Sequence, residues 1–120
     1  MNKEVKTEFS VSDMFKSQFK KLFKKYKTLI DDVEEMKAEW LKDPNIGDKL
    51  GAGLHKVRIN IRAKKQGKQG GGRIITHELL LHEKEGDISS VYLVAIYDKA
   101  EYDTVDIEVI KKYVKELRGE

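Results

Sequence analysis

The chain contains no cysteine and a single proline in 120 residues, and it has no long run of apolar residues. Without cysteine it can form neither a disulfide framework nor a thiolate metal site, and a reducing compartment suits it. A membrane span needs about 20 consecutive apolar residues, and the first residues, MNKEVKTEFS, lack the apolar core of a signal peptide. The sequence therefore predicts a soluble protein of the cytoplasm that has no membrane contact.

Length and composition favour one folded domain that spans residues 1–120. Apolar residues make up 39% of the chain and charged residues 38%. A chain of this size can bury a real core, and its apolar residues fall in periodic groups, which is not the pattern of a disordered chain. Neither an internal repeat nor a linker divides the sequence.

Acidic residues are missing from one part of the chain. Residues 49–77 hold eight Lys or Arg and no Asp or Glu, whereas residues 1–48 hold ten of each class. Residues 78–120 hold six basic and eleven acidic residues, so the formal net charge of +3 hides an uneven distribution. A cationic segment without internal neutralisation indicates an anion-binding surface, although a solvated loop has the same composition.

The acid-free segment predicts two β-strands joined by a long basic, glycine-rich loop, within LHKVRINIRAKKQGKQGGGRIIT. Strands place successive side chains on opposite faces. One face then holds the apolar residues Val57, Ile59 and Ile61. The other face holds a row of polar and cationic residues, which are Lys56, Arg58, Asn60 and Arg62. A row of cations on a rigid strand predicts the binding of a phosphate chain.

The remaining elements predict an α+β domain. A short strand precedes two helices that are expected to start at Ser10 and Thr28. Each helix has one apolar stripe, made of Phe15, Phe19, Leu22, Phe23 and Tyr26 in the first and of Leu29, Val33, Met36 and Trp40 in the second. The stretch VYLVAIY is typical of a strand covered on both faces, and a last helix is expected after a cap at Asp103 or Thr104. The order β-α-α-β-β-β-α indicates a twisted, mostly antiparallel sheet with the helices packed on one face.

Several kinds of active site are excluded. The three histidines lack any metal-ligand spacing, and no serine or cysteine nucleophile constellation is visible. The glycines of KKQGKQGGGR lack the GK[ST] ending of a phosphate-binding loop, and a strand follows them where such a loop would open a helix. We therefore expect neither a metal ion nor another cofactor.

A cluster of cations can still cut RNA. When the 2′-hydroxyl of a ribose is the nucleophile, the site needs a base, cations on the non-bridging phosphate oxygens and an acid for the leaving 5′-oxygen. Lysines and arginines can supply all three roles if crowding lowers the pKa of one lysine. The candidates are the strand cations together with Tyr97 and Lys99, which end the apolar strand.

The residues also carry a family resemblance. The helix hairpin, the segment DPNIGDKLGAGLHKVRINIRAKKQGKQGGGRIIT and the strand VYLVAIYDKAE resemble the RelE/ParE superfamily of bacterial toxins, and more closely its HigB-type branch of mRNA interferases. The resemblance covers nearly the whole chain. Its most specific parts are K-x-R at Lys56 and Arg58, the glycines before Arg73, and IY-x-K at Tyr97 and Lys99.

This resemblance implies a RelE-like fold and the toxin of a type II toxin-antitoxin system. Such a toxin enters the A site of the 70S ribosome, contacts rRNA, cuts mRNA without a metal ion and arrests translation. A cognate antitoxin protein, usually one that binds DNA, would hold it inactive.

The resemblance also implies residue roles. Lys56 and Arg58 match strand cations that contact the substrate and assist proton transfer, Arg73 matches an arginine on the scissile phosphate, and Lys99 matches a lysine after the last strand. With Tyr97 they form the expected catalytic set. The residues expected to bind RNA or the ribosome are Arg62, Lys64, Lys65 and Lys68.

The chain departs from RelE just beyond Lys99. Ala100 stands where RelE has an arginine, and Asp106 stands about where it has a tyrosine. Tyr97, Tyr102 and Lys99 therefore remain candidates for the general acid.

Two other functions stay open. ParE-like members of the same superfamily poison DNA gyrase and need no nuclease cations. A non-catalytic RNA- or ribosome-binding protein is the other alternative, although the basic strand lacks the exposed aromatic residues of an RRM platform.

Overall fold

The computed structural model describes residues 5–101 and 106–119. In these ranges the helices are α1 (Asp13–Lys25), α2 (Leu29–Lys42), the one-turn α3 (Gly67–Gly70) and α4 (Ile107–Leu117), and none is long and apolar enough to cross a membrane. The strands are β1 (Lys6–Val11), β2 (Asp48–Gly51), β3 (Leu54–Ile59), β4 (Gly72–Glu83) and β5 (Gly86–Asp98).

The five strands form one sheet in the order β1-β5-β4-β3-β2. Only the pair of β1 and β5 is parallel, and the other three neighbouring pairs are antiparallel. The predicted mixed α+β class with a mostly antiparallel sheet is therefore confirmed. β5 lies between two neighbours and is buried along most of its length, as its apolar sequence predicts.

Helices cover both faces of the sheet, so the expectation of one covered face is wrong. α1 and α2 pack on one face, in a core cluster that includes Trp40 of α2 and Ile74 of β4. Ile110 and Val114 of α4 pack in a second cluster with Ile75, the next residue of β4. Successive strand residues point to opposite faces, so α4 lies on the other side of the sheet from α1 and α2.

α1 begins two residues later than predicted. Its N-cap is Ser12, whose hydroxyl accepts a hydrogen bond from the main chain of Phe15 at 3.0 Å and donates one to the carbonyl of Val94 at 2.7 Å. Val94 is at a bulge of β5, where the pairing with β4 shifts register. Ser10 belongs to β1 instead, because pairing with β5 continues to Val11.

α2 begins where it was predicted, and its apolar stripe is buried. Its N-terminal residue Thr28 makes no side-chain cap, because its hydroxyl donates to Asp32 at 2.8 Å and accepts from the main chain of Ala63 at 3.1 Å. Asp106 caps α4 by accepting from two main-chain N–H groups. The predicted caps Asp103 and Thr104 lie outside the described residues.

Candidate functional site

Three predicted site residues stand side by side on neighbouring strands. Arg58 of β3 is directly opposite Arg73 of β4, and Arg73 is directly opposite Tyr97 of β5. Residues opposite each other in an antiparallel pair share one face of the sheet. In the next rung, Ile75 is opposite both Lys56 and Ala95, so Lys56 lies on that face as well. This is the face that α4 covers in part.

The two opposed arginines make this part of the sheet electrostatically unfavourable by itself. Like charges directly opposite each other in a sheet are destabilising, whereas opposite charges stabilise it. Burial lowers the pKa of Arg73, and the nearby charge of Arg58 lowers it further. A bound anion would relieve this repulsion, so the cross-strand pair has the electrostatic character of an anion site.

Arg73 is held firmly by the main chain of the loop that precedes it. Its Nη1 donates to the carbonyls of Lys68 at 3.0 Å and Gly72 at 2.9 Å, and its Nη2 donates to the carbonyl of Gln69 at 3.1 Å. Arginine can donate five hydrogen bonds, so these three fix the guanidinium plane without exhausting its donors. The side chain is therefore a preorganised cation that also secures α3.

Tyr97 is a buried phenol beside this arginine. Burial raises its pKa above the ordinary value of 10.0, and the charge of Arg73 opposes part of that rise. Tyr97 therefore keeps its proton at neutral pH and can donate it. The alternative candidate Tyr102 lies outside the described residues.

Arg58 and Lys56 face an open cleft of about 310 Å³ at the edge of the sheet. The carboxylates on its lining belong to Asp48, which is opposite Lys56 on β2, and to Glu39 of α2. Arg58 is exposed and Lys56 is half-buried. Neither cation forms an ion pair within residues 5–101 and 106–119. An anionic ligand can therefore reach both from solvent.

The glycines before Arg73 are required by close packing. A side chain at Gly71 would place its Cβ 2.1 Å from the carbonyl oxygen of Ile59, an approach that real structures do not show. The carbonyl of Gly71 also accepts from the main chain of Lys99 at 3.1 Å, so the end of the loop is tied to the residue after β5. Lys99 is exposed beyond the strand end. Gly71 thus links Lys99 to the segment that leads into Arg73.

The loop between β3 and β4 is ordered, and most of its cations already have partners. β3 ends at Ile59, so Arg62 lies in the loop and the prediction that it continues the strand row is wrong. We call Arg62, Lys64, Lys65 and Lys68 the loop cations, and Lys56, Arg58 and Arg73 the strand cations. Arg62 contacts Glu35 and approaches Asp32 to 3.9 Å, and Lys68 is 2.8 Å from Glu39. Among the described residues, Lys65 alone of the loop cations has no acidic partner.

The side chain of Lys64 is buried, although we expected it to bind RNA or the ribosome from the basic loop. Its Nζ lies 2.5 Å from Asp98 Oδ1 and 3.1 Å from the carbonyl of Gly71. The side chain of Lys64 is 6% exposed and that of Asp98 is 1% exposed. Binding of a phosphate by Lys64 would leave the buried Asp98 carboxylate without its cationic partner. The structure thus makes Lys64 part of the support of the site.

Asp98 is the main residue that sequence reasoning missed. It accepts hydrogen bonds from Lys64, from Tyr26 Oη at 2.7 Å and from the main chain of Ala100 at 2.9 Å. Burial tends to raise its pKa, but the hydrogen bonds from Lys64, Ala100 and Tyr26 outweigh it, so the pKa lies below its ordinary value. The available signal was a single acid at the end of a strand buried on both faces, because such a carboxylate needs a partner.

Glu35 and Glu39 were missed as well. Sequence spacing placed both on α2, and nothing in that spacing showed that this side of the helix would face the basic loop.

Within the described part of the chain, no three His, Asp or Glu side chains come together as a metal ion would require. No family model matches the chain, and none of the curated proteins or solved structures compared with it matches either.

Proposed function

We propose that the protein is the toxin of a type II toxin-antitoxin system, a metal-independent endoribonuclease of the RelE/HigB kind that cuts mRNA on the ribosome. The observation that carries this proposal is the direct opposition of Arg58 and Arg73 on β3 and β4, with Tyr97 next in the same row. The resemblance of the basic hairpin to that superfamily supports the same function.

The row has the groups that cleavage by an internal nucleophile requires. The scissile phosphate would lie between Arg58 and Arg73, whose charges stabilise the extra negative charge of the transition state. The ribose 2′-oxygen forms a bond to phosphorus, the bond from phosphorus to the 5′-oxygen breaks, and the products carry a 2′,3′-cyclic phosphate and a 5′-hydroxyl. The proton of the 2′-hydroxyl goes to a base, and the leaving 5′-oxygen receives a proton from an acid.

We assign the proton donor to Tyr97, because it lies beside Arg73 and keeps its proton at neutral pH. Lys56, one rung away on the same face, is the candidate base. Its neutral amine would perform this role, because an ammonium group has no lone pair with which to accept the proton. Asp106 does not suit an acid role because its carboxylate accepts hydrogen bonds from Glu108 and Val109 as the cap of α4. Lys99 remains a candidate for phosphate contact beyond the strand end.

The partner that inhibits this toxin would bring negative charge to the strand cations. An acidic segment of an antitoxin would bind in the cleft that Arg58 and Lys56 line. Steering between exposed charges is screened over about 10 Å at 0.1 M salt, so association of toxin and antitoxin should slow as salt is raised. A rate that does not change with salt would place the antitoxin elsewhere.

The test is primer extension on cellular mRNA after brief expression without a partner. We expect cleavage within translated regions, and none with Arg58→Ala. Purified protein and ribosomes programmed with mRNA should give 5′-hydroxyl ends. Intact mRNA with stalled replication would indicate a gyrase inhibitor, and ribosome binding without any cut would indicate a non-catalytic binding protein.

A further inference from the structure

The outer face of α1 has a strong positive charge that the site described above does not use. All five lysines of the helix are exposed. We call them the α1 lysine face, and they are Lys16, Lys20, Lys21, Lys24 and Lys25. No Asp or Glu occurs from Met14 to Ile30. The one carboxylate of α1, on Asp13, is 4.0 Å from Lys16.

The other long helices have mixed charges on their surfaces. Lys37 of α2 is 3.1 Å from Glu34, and Lys111 of α4 is 3.6 Å from Glu108. In contrast, Lys20, Lys21 and Lys24 have no ion-pair partner within residues 5–101 and 106–119. An ordinary solvated helix face gains from alternating charge signs, so α1 differs from what solubility alone explains.

This pattern works against the helix that carries it. Lysines lie four residues apart at positions 16, 20 and 24, and again at 21 and 25. Like charges at this spacing destabilise a helix by about as much as a Glu–Lys pair stabilises it. Within residues 5–101 and 106–119, no acid of the neighbouring helix α2 forms an ion pair with these lysines. Glu35 and Glu39 pair with loop cations, and Glu34 pairs with Lys37 of α2 itself. An external polyanion would remove the repulsion.

The side chains around these lysines indicate which polyanion fits. The rings of Phe15, Phe19 and Phe23 stack along the inner side of α1 and pack in the core. Phe15 is buried, and Phe19 and Phe23 expose only part of their rings. α1 therefore offers no exposed aromatic platform for the bases of a single strand and no exposed apolar face for a lipid surface. A regular row of phosphates, such as the backbone of a double-helical RNA, needs only lysines.

The C-terminal end of the α1 lysine face lies near the end of the sheet from which β4 leads into Arg73. Tyr26, just after α1, donates to Asp98, and Asp98 is opposite Gly72 at the start of β4. The hydrogen bond with Tyr26 raises the pKa of Lys25, with smaller contributions from the carboxylates of Asp98 and Glu101. The end of α1 and the residue Lys99 thus share one end of the sheet. Arg58 and Arg73, which we call the arginine row, lie on the opposite face of that sheet.

From this geometry we infer that the α1 lysine face binds the phosphate backbone of a double-helical RNA. The choice of RNA rests on the function proposed above, in which the substrate is cut within a ribosome. The protein would then contact structured RNA through one face while its arginine row faces the message.

The experiment replaces Lys20, Lys21 and Lys24 by Gln in the full chain, since these three are exposed and have no ion pair to break. The matched control replaces Lys111, Lys112 and Lys115 of α4 by Gln, with the same change in net charge. Binding is measured by titrating a labelled RNA hairpin of duplex form, and separately 70S ribosomes, at several salt concentrations. A DNA hairpin of the same sequence shows whether the backbone type matters.

We expect the α1 variant to bind the RNA hairpin at least tenfold more weakly at about 0.1 M salt. Its slope of log affinity against log salt should fall by roughly 0.7–0.9 for each phosphate that the variant no longer neutralises. The α4 control should stay within about twofold of the parent chain. A Lys→Arg triple variant of α1 should restore binding, because it keeps the charge.

Equal losses in the α1 and α4 variants would overturn the inference, since only net charge would then matter. So would a parent chain that does not bind the hairpin, or one that prefers the DNA duplex. Folding is checked by thermal unfolding, in which the α1 Gln variant should be at least as stable as the parent because repulsion is relieved. If the parent binds RNA through α1 but cuts no mRNA, the proposed nuclease function fails and this inference stands.

Discussion

The strand cations and the loop cations are close in sequence, yet the fold uses them differently. Arg58 and Arg73 are brought face to face by strand pairing, with no carboxylate between them in the register. Three of the four loop cations pair with acids of α2 or β5, and Lys64 is buried. A ligand can therefore neutralise the charge of the strand cations. The charge of most loop cations is already neutralised by acids of the protein itself.

This comparison shows that charge in a sequence does not locate a binding surface by itself. A lysine beside a buried aspartate contributes to folding, and a lysine without an acidic partner can contribute to binding. The expected experimental effects therefore differ in kind, with stability changed by Lys64, cleavage changed by Arg73 and salt dependence changed by Lys65.

The largest expected effect is the loss of folding stability in Lys64→Ala. Removing one member of a buried ion pair leaves an uncompensated charge and typically costs about 3–5 kcal/mol. We expect a loss of that order in the free energy of unfolding, measured by urea denaturation. Lys65→Ala is the matched control and should change stability by less than about 0.5 kcal/mol. Equal stability of the two variants would show that the ion pair of Lys64 with Asp98 is not formed in solution.

Arg73→Ala should have the largest effect on chemistry. Removing one preorganised donor to a transition-state anion usually lowers the rate about a hundredfold or more. Single-turnover cleavage with excess ribosomes measures this rate independently of binding. Arg62→Ala is the control, because Arg62 is engaged with α2. Normal cutting by bound Arg73→Ala would remove this residue from the catalytic set.

Acid should destabilise the protein through Asp98. Its pKa in the folded protein is lower than the ordinary value of 3.8, so its contribution to stability is complete above that value and is lost as pH falls through the folded-state pKa. Unfolding free energy measured from pH 6 to pH 2 should therefore fall more steeply in the parent than in Asp98→Asn. Parallel curves would contradict a depressed pKa for Asp98.

The smallest effects should come from Lys65 and Lys68. Both are exposed, and the pair of Lys68 with Glu39 is partly solvated. Exposed pairs are worth about 0–1 kcal/mol, so Lys68→Ala should barely change stability. Lys65→Ala should flatten the salt dependence of ribosome binding by about one phosphate contact. If Lys68→Ala flattens the salt dependence of ribosome binding more than Lys65→Ala does, Lys68 leaves Glu39 and contacts RNA when the protein binds.

Much of the architecture could be predicted because it follows from local periodicity. The stripe that ends at Trp40 identifies α2, and alternation in β3 correctly places Val57 and Ile59 in the core. The side of the sheet taken by α4 was not predictable in this way. An amphipathic helix such as α4 shows that it has a partner surface, but its sequence does not say which face of the sheet provides it.

The candidate site follows the same division. The sequence by itself predicted that Lys56, Arg58 and Arg73 lie on strands within a stretch that contains no acid, since alternation and composition are local properties. Only the tertiary structure decided that Arg58 is opposite Arg73. It also decided that Lys64 forms a buried ion pair with Asp98, 34 positions away in the sequence. Strand register and long-range ion pairs depend on how distant segments pack together, and a single sequence does not show that packing directly.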